Sequence, residues 1–115
     1  MILDIGTGST SEVALDVQSG VLHVTGADSL DITAASGLAA GDALLVALRV
    51  QEDNVAVSVN GAMVVTDTSH TLNGDADELR LGDNISGSDP MQCVIRQIAF
   101  FGPLPDATLE AMSNA

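Results

Sequence analysis

A chain of 115 residues fits one domain with a modest core, and its sixteen carboxylates against three arginines and no lysine give a formal net charge of −13. Such a field repels phosphate, which argues against nucleic acid and anionic membrane surfaces as partners; salt would screen it, so a solvated acidic surface is the plain reading. Hydrophobic residues make up 46% of the chain, mostly Val, Leu, Ile and Ala, and Phe100 and Phe101 are the only aromatics. Cys93 is alone, so no disulfide forms within the chain, and an inert buried thiol is expected. No basic region precedes a long apolar segment, and the apolar run 43–50 is too short to span a bilayer, so neither a signal peptide nor a membrane span is expected.

In chain order the sequence reads as strand after strand. Met1 to Ile5 is apolar and ends at Gly6-Thr7-Gly8-Ser9. Glu12 to Gln18 alternates, with Val13, Leu15 and Val17 on one side, and Ser19-Gly20 turns it into Val21 to Thr25 as a hairpin. A weaker strand is expected near Leu30 to Thr33, followed by an Ala- and Gly-rich linker from Ala34 to Gly41. Asp42 to Gln51 is the longest strand candidate, with Leu44, Val46, Leu48 and Val50 on one face. After the Glu52-Asp53-Asn54 turn, Val55, Val57 and Val59 alternate, and Asn60-Gly61 supplies the positive-φ pair of a type I′ hairpin returning through Ala62 to Thr66. Glu78 to Leu81 and Gln92 to Phe101 complete the strands. Pro105 suits a helix start and Asp106 its positive end, so a short helix to Met112, with Leu109 and Met112 on one face, is expected to cap the sandwich. The class is all-β: an antiparallel β-sandwich with one short C-terminal helix.

The ordered set Ala47-Leu48-Arg49-Val50, Val55 to Gly61, Leu79-Arg80-Leu81-Gly82, Val94 to Phe101 and Leu104-Pro105-Asp106-Ala107 with Leu109 resembles the laminin G-like, concanavalin A-like jelly roll. The likeness is good over 42–112 and looser over 1–40. It is also similar to the versions found in bacteriophage structural proteins, where runs like Leu3 to Ser9 occur. Pro105 replaces the usual capping serine. The resemblance implies a single jelly-roll domain over 1–115 that lacks the first strands of the full family fold. A jelly roll so shortened presents an unpaired edge near Met1 to Ile5, which a partner would cover.

Catalysis is not expected. The Glu-x-Asp-x-Glu strand of concanavalin A-like glucanases is missing; Glu52-Asp53 and Asp75-x-Asp77-Glu78 sit at turns. Ser9 and Ser11 have no base placed to activate them, and Gly6-x-Gly8 lacks the third glycine of a phosphate loop. Laminin G-like domains often hold Ca²⁺, and Asn73, Asp75 and Asp77 alternate so as to offer oxygens to one hard cation, while Asp83, Asn84 and Asp89 form a second oxygen-rich loop. Solvated turn residues are the plainer reading of both, and no other cofactor is implied. His23 and His70 lack ligand-like spacing. Arg49, Arg80 and Arg96 all fall in strand candidates, where they would pair with carboxylates at a strand surface or a subunit interface.

The expected function is therefore structural: a non-catalytic protein at a virion surface, a head-decoration (cement) or fibre protein. It would form homo-oligomers, with trimers favoured, or contact a capsid protein, using Ile2, Leu3, Ile5, Arg49 and Arg96 at the contacts. The alternative is a carbohydrate-binding module, calcium-assisted, that attaches a particle to host polysaccharide; the lack of Trp and Tyr weighs against ring stacking. A third reading is a fragment of a longer enzyme or adhesin.

Overall fold

The computed structural model describes residues 1–8, 10–72, 76–83 and 94–114. Two antiparallel sheets form the body. The first has five strands in the order β4-β3-β2-β1-β8, from β1 (Leu3–Thr7), β2 (Thr10–Gln18), β3 (Val21–Gly26), β4 (Asp31–Ala35) and β8 (Glu78–Leu81). The second has three, β5 (Val46–Arg49), β6 (Val55–Val59) and β7 (Val65–Asp67), in sequence order. One helix, α1 (Asp106–Met112), follows. The chain is an all-β sandwich with a short C-terminal helix.

Local chemistry explains the hairpins. Ser19 and Gly20 take φ of 51° and 74°, the two positive values that match the right-handed strand twist, so β2 runs straight into β3. Asn60 and Gly61 do the same at 52° and 77°, and the Ala62 N–H closes that turn on the Val59 carbonyl at 3.0 Å. At Gly26 no side chain is tolerated: a Cβ there would stand 2.0 Å from the Glu12 carbonyl oxygen. That closeness lets β3 pass tightly beside the β2 irregularity, where Ile5 faces Val13 but Gly6 faces Ser11.

Alternation assigns the faces. Leu3 pairs with Leu15, Leu15 with Val24 and Val24 with Ile32, giving one apolar row across four strands. This row meets Val55, Val57 and Val59 of β6, and together with Val13, Leu22 and Leu30 they form the core. Each fully buried Val or Leu adds about 1.5–3 kcal/mol relative to exposure. Both β6 and β7 approach β4, so the sheets meet along that side.

The outer face of the three-stranded sheet carries Ala47, Arg49, Ala56 and Ser58, and α1 packs there against β5 and β6. Ser58 Oγ donates to the Ala62 carbonyl at 2.6 Å and lies 2.7 Å from Ser113 Oγ, which accepts the Gly61 N–H at 3.0 Å. The helix therefore lies against a sheet face and holds the Asn60-Gly61 turn, where the sequence suggests a cap at one end. Of the two apolar residues expected to share its buried side, Leu109 is buried and Met112 is exposed.

Four expectations are corrected. Met1 to Ile5 is not at an edge: β1 is paired by β2 on one side and by β8 on the other, with Gly82 N–H on the Ile2 carbonyl at 2.8 Å extending the ladder. The Asp42–Gln51 strand shrinks to Val46–Arg49, because the Asn60 side chain takes the Leu45 N–H at 2.9 Å and Ala39 bonds Asp42 in a turn. The return strand from Asn60-Gly61 pairs only from Val65 to Asp67. Finally, in the strand expected over Gln92 to Phe101, the described part, Val94–Phe101, belongs to no sheet. Strand propensity makes a segment ready to pair and does not supply the neighbour.

Candidate interaction surface

The mismatch of five strands against three leaves part of the core face open. Leu79 stands opposite Ile5 and Leu81 opposite Leu3, so both share the face of the apolar row. Yet Leu79 is 40% and Leu81 43% exposed. On the second sheet, Val46 and Leu48 pair with the buried Val59 and Val57 and are only half-buried. β8 and β5 are the ends of their sheets farthest from the β4–β7 side. The sandwich is joined along one side and open along the other, among the described residues.

A second apolar surface lies in the chain after β8. Every residue from Val94 to Phe101 is exposed, Val94 at 83% and Phe100 at 70%. No backbone hydrogen bond ties residues 94–103 to other described residues. Large apolar side chains gathered this way on a protein surface mark contact sites. Arg96 is the one charge in this run and it carries no acid.

The other residues singled out from the sequence have these places. Ile2 precedes β1 and Leu3 and Ile5 lie in it; all three are half-buried, and Leu3 and Ile5 stand opposite Leu81 and Leu79 of β8. Arg49, expected to pair with a carboxylate at a strand surface or a subunit interface, is buried within its own chain. Its Nη1 lies 2.7 Å from Asp106 Oδ1 and donates to the Leu104 carbonyl at 2.9 Å, and Nη2 donates to Asn54 Oδ1 at 2.7 Å. These bonds take up the guanidinium inside its own protomer and fix the start of α1. Arg80 bonds Glu78 at 2.7 Å, and that bond pushes its pKa up. Asn73 and Asp75 of the expected calcium loop, and Asn84 and Asp89 of the second, lie outside the described residues, as do Ser9 and Cys93. Asp77 is exposed, and its N–H bonds the Gly6 carbonyl at 3.1 Å. Among the described residues no cluster of three His, Cys, Asp or Glu is arranged to hold a metal ion. No helix among them is long and apolar enough to cross a membrane.

A polar groove occupies the outer face of the five-stranded sheet. Asp16, Gln18, His23, Thr25 and Asp31 line about 240 Å³. Asp16 faces His23 across the β2–β3 ladder and holds the Met1 amino group at 3.1 Å, while His23 Nδ1 is 3.7 Å from Asp31 Oδ1. Neither this groove nor the exposure of Leu79 and Leu81 is among the features expected from the sequence. The alternation of Leu79 and Leu81 was the available signal for their facing the core; nothing in it signals that the facing sheet stops short.

Comparison with known proteins finds no matching family model, no similar curated protein and no similar solved structure.

Proposed function

We propose that this chain is a non-catalytic structural protein that works by joining other protein surfaces through the open side of its sandwich. The observation that carries the reading is the pair of uncovered apolar surfaces, Leu79 and Leu81 on the core face and Val94–Phe101 after it. An acidic protein of net charge −13 stays dispersed by repulsion, so contact made through apolar surface with few charges is selective for a shaped partner. The resemblance to bacteriophage structural proteins suggests the setting, a decoration or fibre protein on a virion. Sedimentation velocity over a range of concentrations tests this: the expected result is a homo-oligomer, and a folded monomer throughout would overturn it.

The groove lined by Asp16, His23 and Asp31 supports a second reading, a carbohydrate-binding module. Its side chains offer hydrogen bonds to hydroxyl groups and no ring to stack on a sugar. A glycan array with and without calcium checks it, and silence in both arms removes it.

A further inference from the structure

We propose that the open side of one protomer receives Val94–Phe101 of a second copy as an added strand, the two copies exchanging segments reciprocally. The inference rests on the assembly reading and names the contact. Both halves of the interface are on the same chain. The acceptor is the apolar floor of Ile5, Leu79 and Leu81, which ends at the terminal strand β8, while the half-buried Val46 and Leu48 lie on β5, the terminal strand of the other sheet. The donor is a run of eight residues, wholly exposed, with no backbone hydrogen bonds to other described residues. Strand alternation places Ile95, Gln97, Ala99 and Phe101 on one side and Val94, Arg96, Ile98 and Phe100 on the other. Either side brings large apolar groups onto a floor whose own leucines are exposed.

Charge favours the same match. Asp77, Glu78 and Asp83 flank the acceptor, where Arg80 is already bonded to Glu78, and the donor brings Arg96 and no carboxylate. A second copy thus meets this acidic edge with an exposed apolar stretch that carries a positive charge. Reciprocal exchange buries both surfaces twice and closes the pair, so it does not propagate into a filament. An unpaired sheet edge is the usual template for such addition.

Hydrogen exchange on the unmodified protein, followed by mass spectrometry at several concentrations and paired with sedimentation, tests the inference. Amides of residues 94–101 should slow by ~100-fold or more, and only at concentrations where the mass is that of an oligomer. Slow exchange in a monomer at every concentration would show that the segment closes on its own chain and would overturn both the exchange and the assembly reading. Fast exchange within a stable oligomer would overturn the exchange alone and leave assembly through another face. The double variant Ile95→Asp with Ile98→Asp, one change on each side of the strand, supplies the second arm. It should yield a monomer with an unchanged far-ultraviolet spectrum, and an oligomer of this double variant with residues 94–101 still protected would count decisively against the proposal.

Discussion

Leu81 stands directly across from Leu3 in the β1–β8 ladder, on the face that carries the core, yet it is far more exposed than the core residues beyond it. The five-stranded sheet is thus amphipathic across its whole width while its cover is not. The stability of the isolated protomer should follow this division. In dilute urea unfolding, Leu81→Ser is expected to cost less than about 1 kcal/mol. Leu22→Ala, at a fully buried core position, should cost about 2–5 kcal/mol. Equal losses would mean that Leu81 is covered in solution.

The Ser58–Ser113 contact ties the residue that caps the end of α1 to the Asn60-Gly61 turn. Ser113→Ala leaves the Gly61 N–H without its acceptor, so a loss of about 1–3 kcal/mol is expected. Ser58→Ala leaves the Ala62 carbonyl without a donor. A double-mutant cycle measured by chemical denaturation should show the two losses to be less than additive, because both variants break one network.

Arg49 carries the anchoring of Leu104 and Asp106 to β5. Asp106 is about half-exposed, so Asp106→Asn should cost under about 1 kcal/mol. Arg49→Ala removes the donors to Leu104 and Asn54 as well, and should cost about 2–4 kcal/mol. Thermal melts of the two variants side by side give the comparison, with amide exchange in α1 reporting whether the helix detaches.

His70 is buried, and neither ring nitrogen has a hydrogen-bond partner among the described residues. Its carbonyl accepts the Asp53 N–H at 2.8 Å, which fixes the loop over the Glu52-Asp53 turn. Replacing an unpartnered buried ring by an apolar one of similar shape removes a desolvation cost. His70→Phe should therefore leave the melting temperature unchanged or raise it by a few degrees. A loss of several degrees would reveal a bond or a fit that the imidazole alone provides.

Asp67 precedes that loop, and its carboxylate accepts the Ser69 N–H at 2.8 Å and the Ser69 hydroxyl at 3.0 Å. The backbone bond first, then the hydroxyl, hold its pKa below the ordinary 3.8. A lowered folded-state value stabilises the protein above the unfolded pKa, and that contribution fades as pH falls through the folded one. Carboxyl carbon shifts should therefore titrate below 3.8, and Ser69→Ala should move the midpoint part of the way back, since the N–H remains.

What was legible in the sequence was whatever depends on neighbours along the chain. Ser19-Gly20 and Asn60-Gly61 make their turns because positive φ is a local property. Strict alternation likewise put Val13, Leu15, Val55, Val57 and Val59 inside, and Pro105-Asp106 marked the helix start. Tertiary structure decided the rest. β1 is internal because β8, some seventy residues later, pairs with its free side. β5 is short because a side chain from the β6 turn takes the Leu45 N–H. Arg49 faces inward because α1 returns to cover it, and Leu79 and Leu81 stay exposed because, among the described residues, three strands face five. Periodicity fixes which side of a strand is apolar, whereas what lies against that side depends on segments far away in the chain.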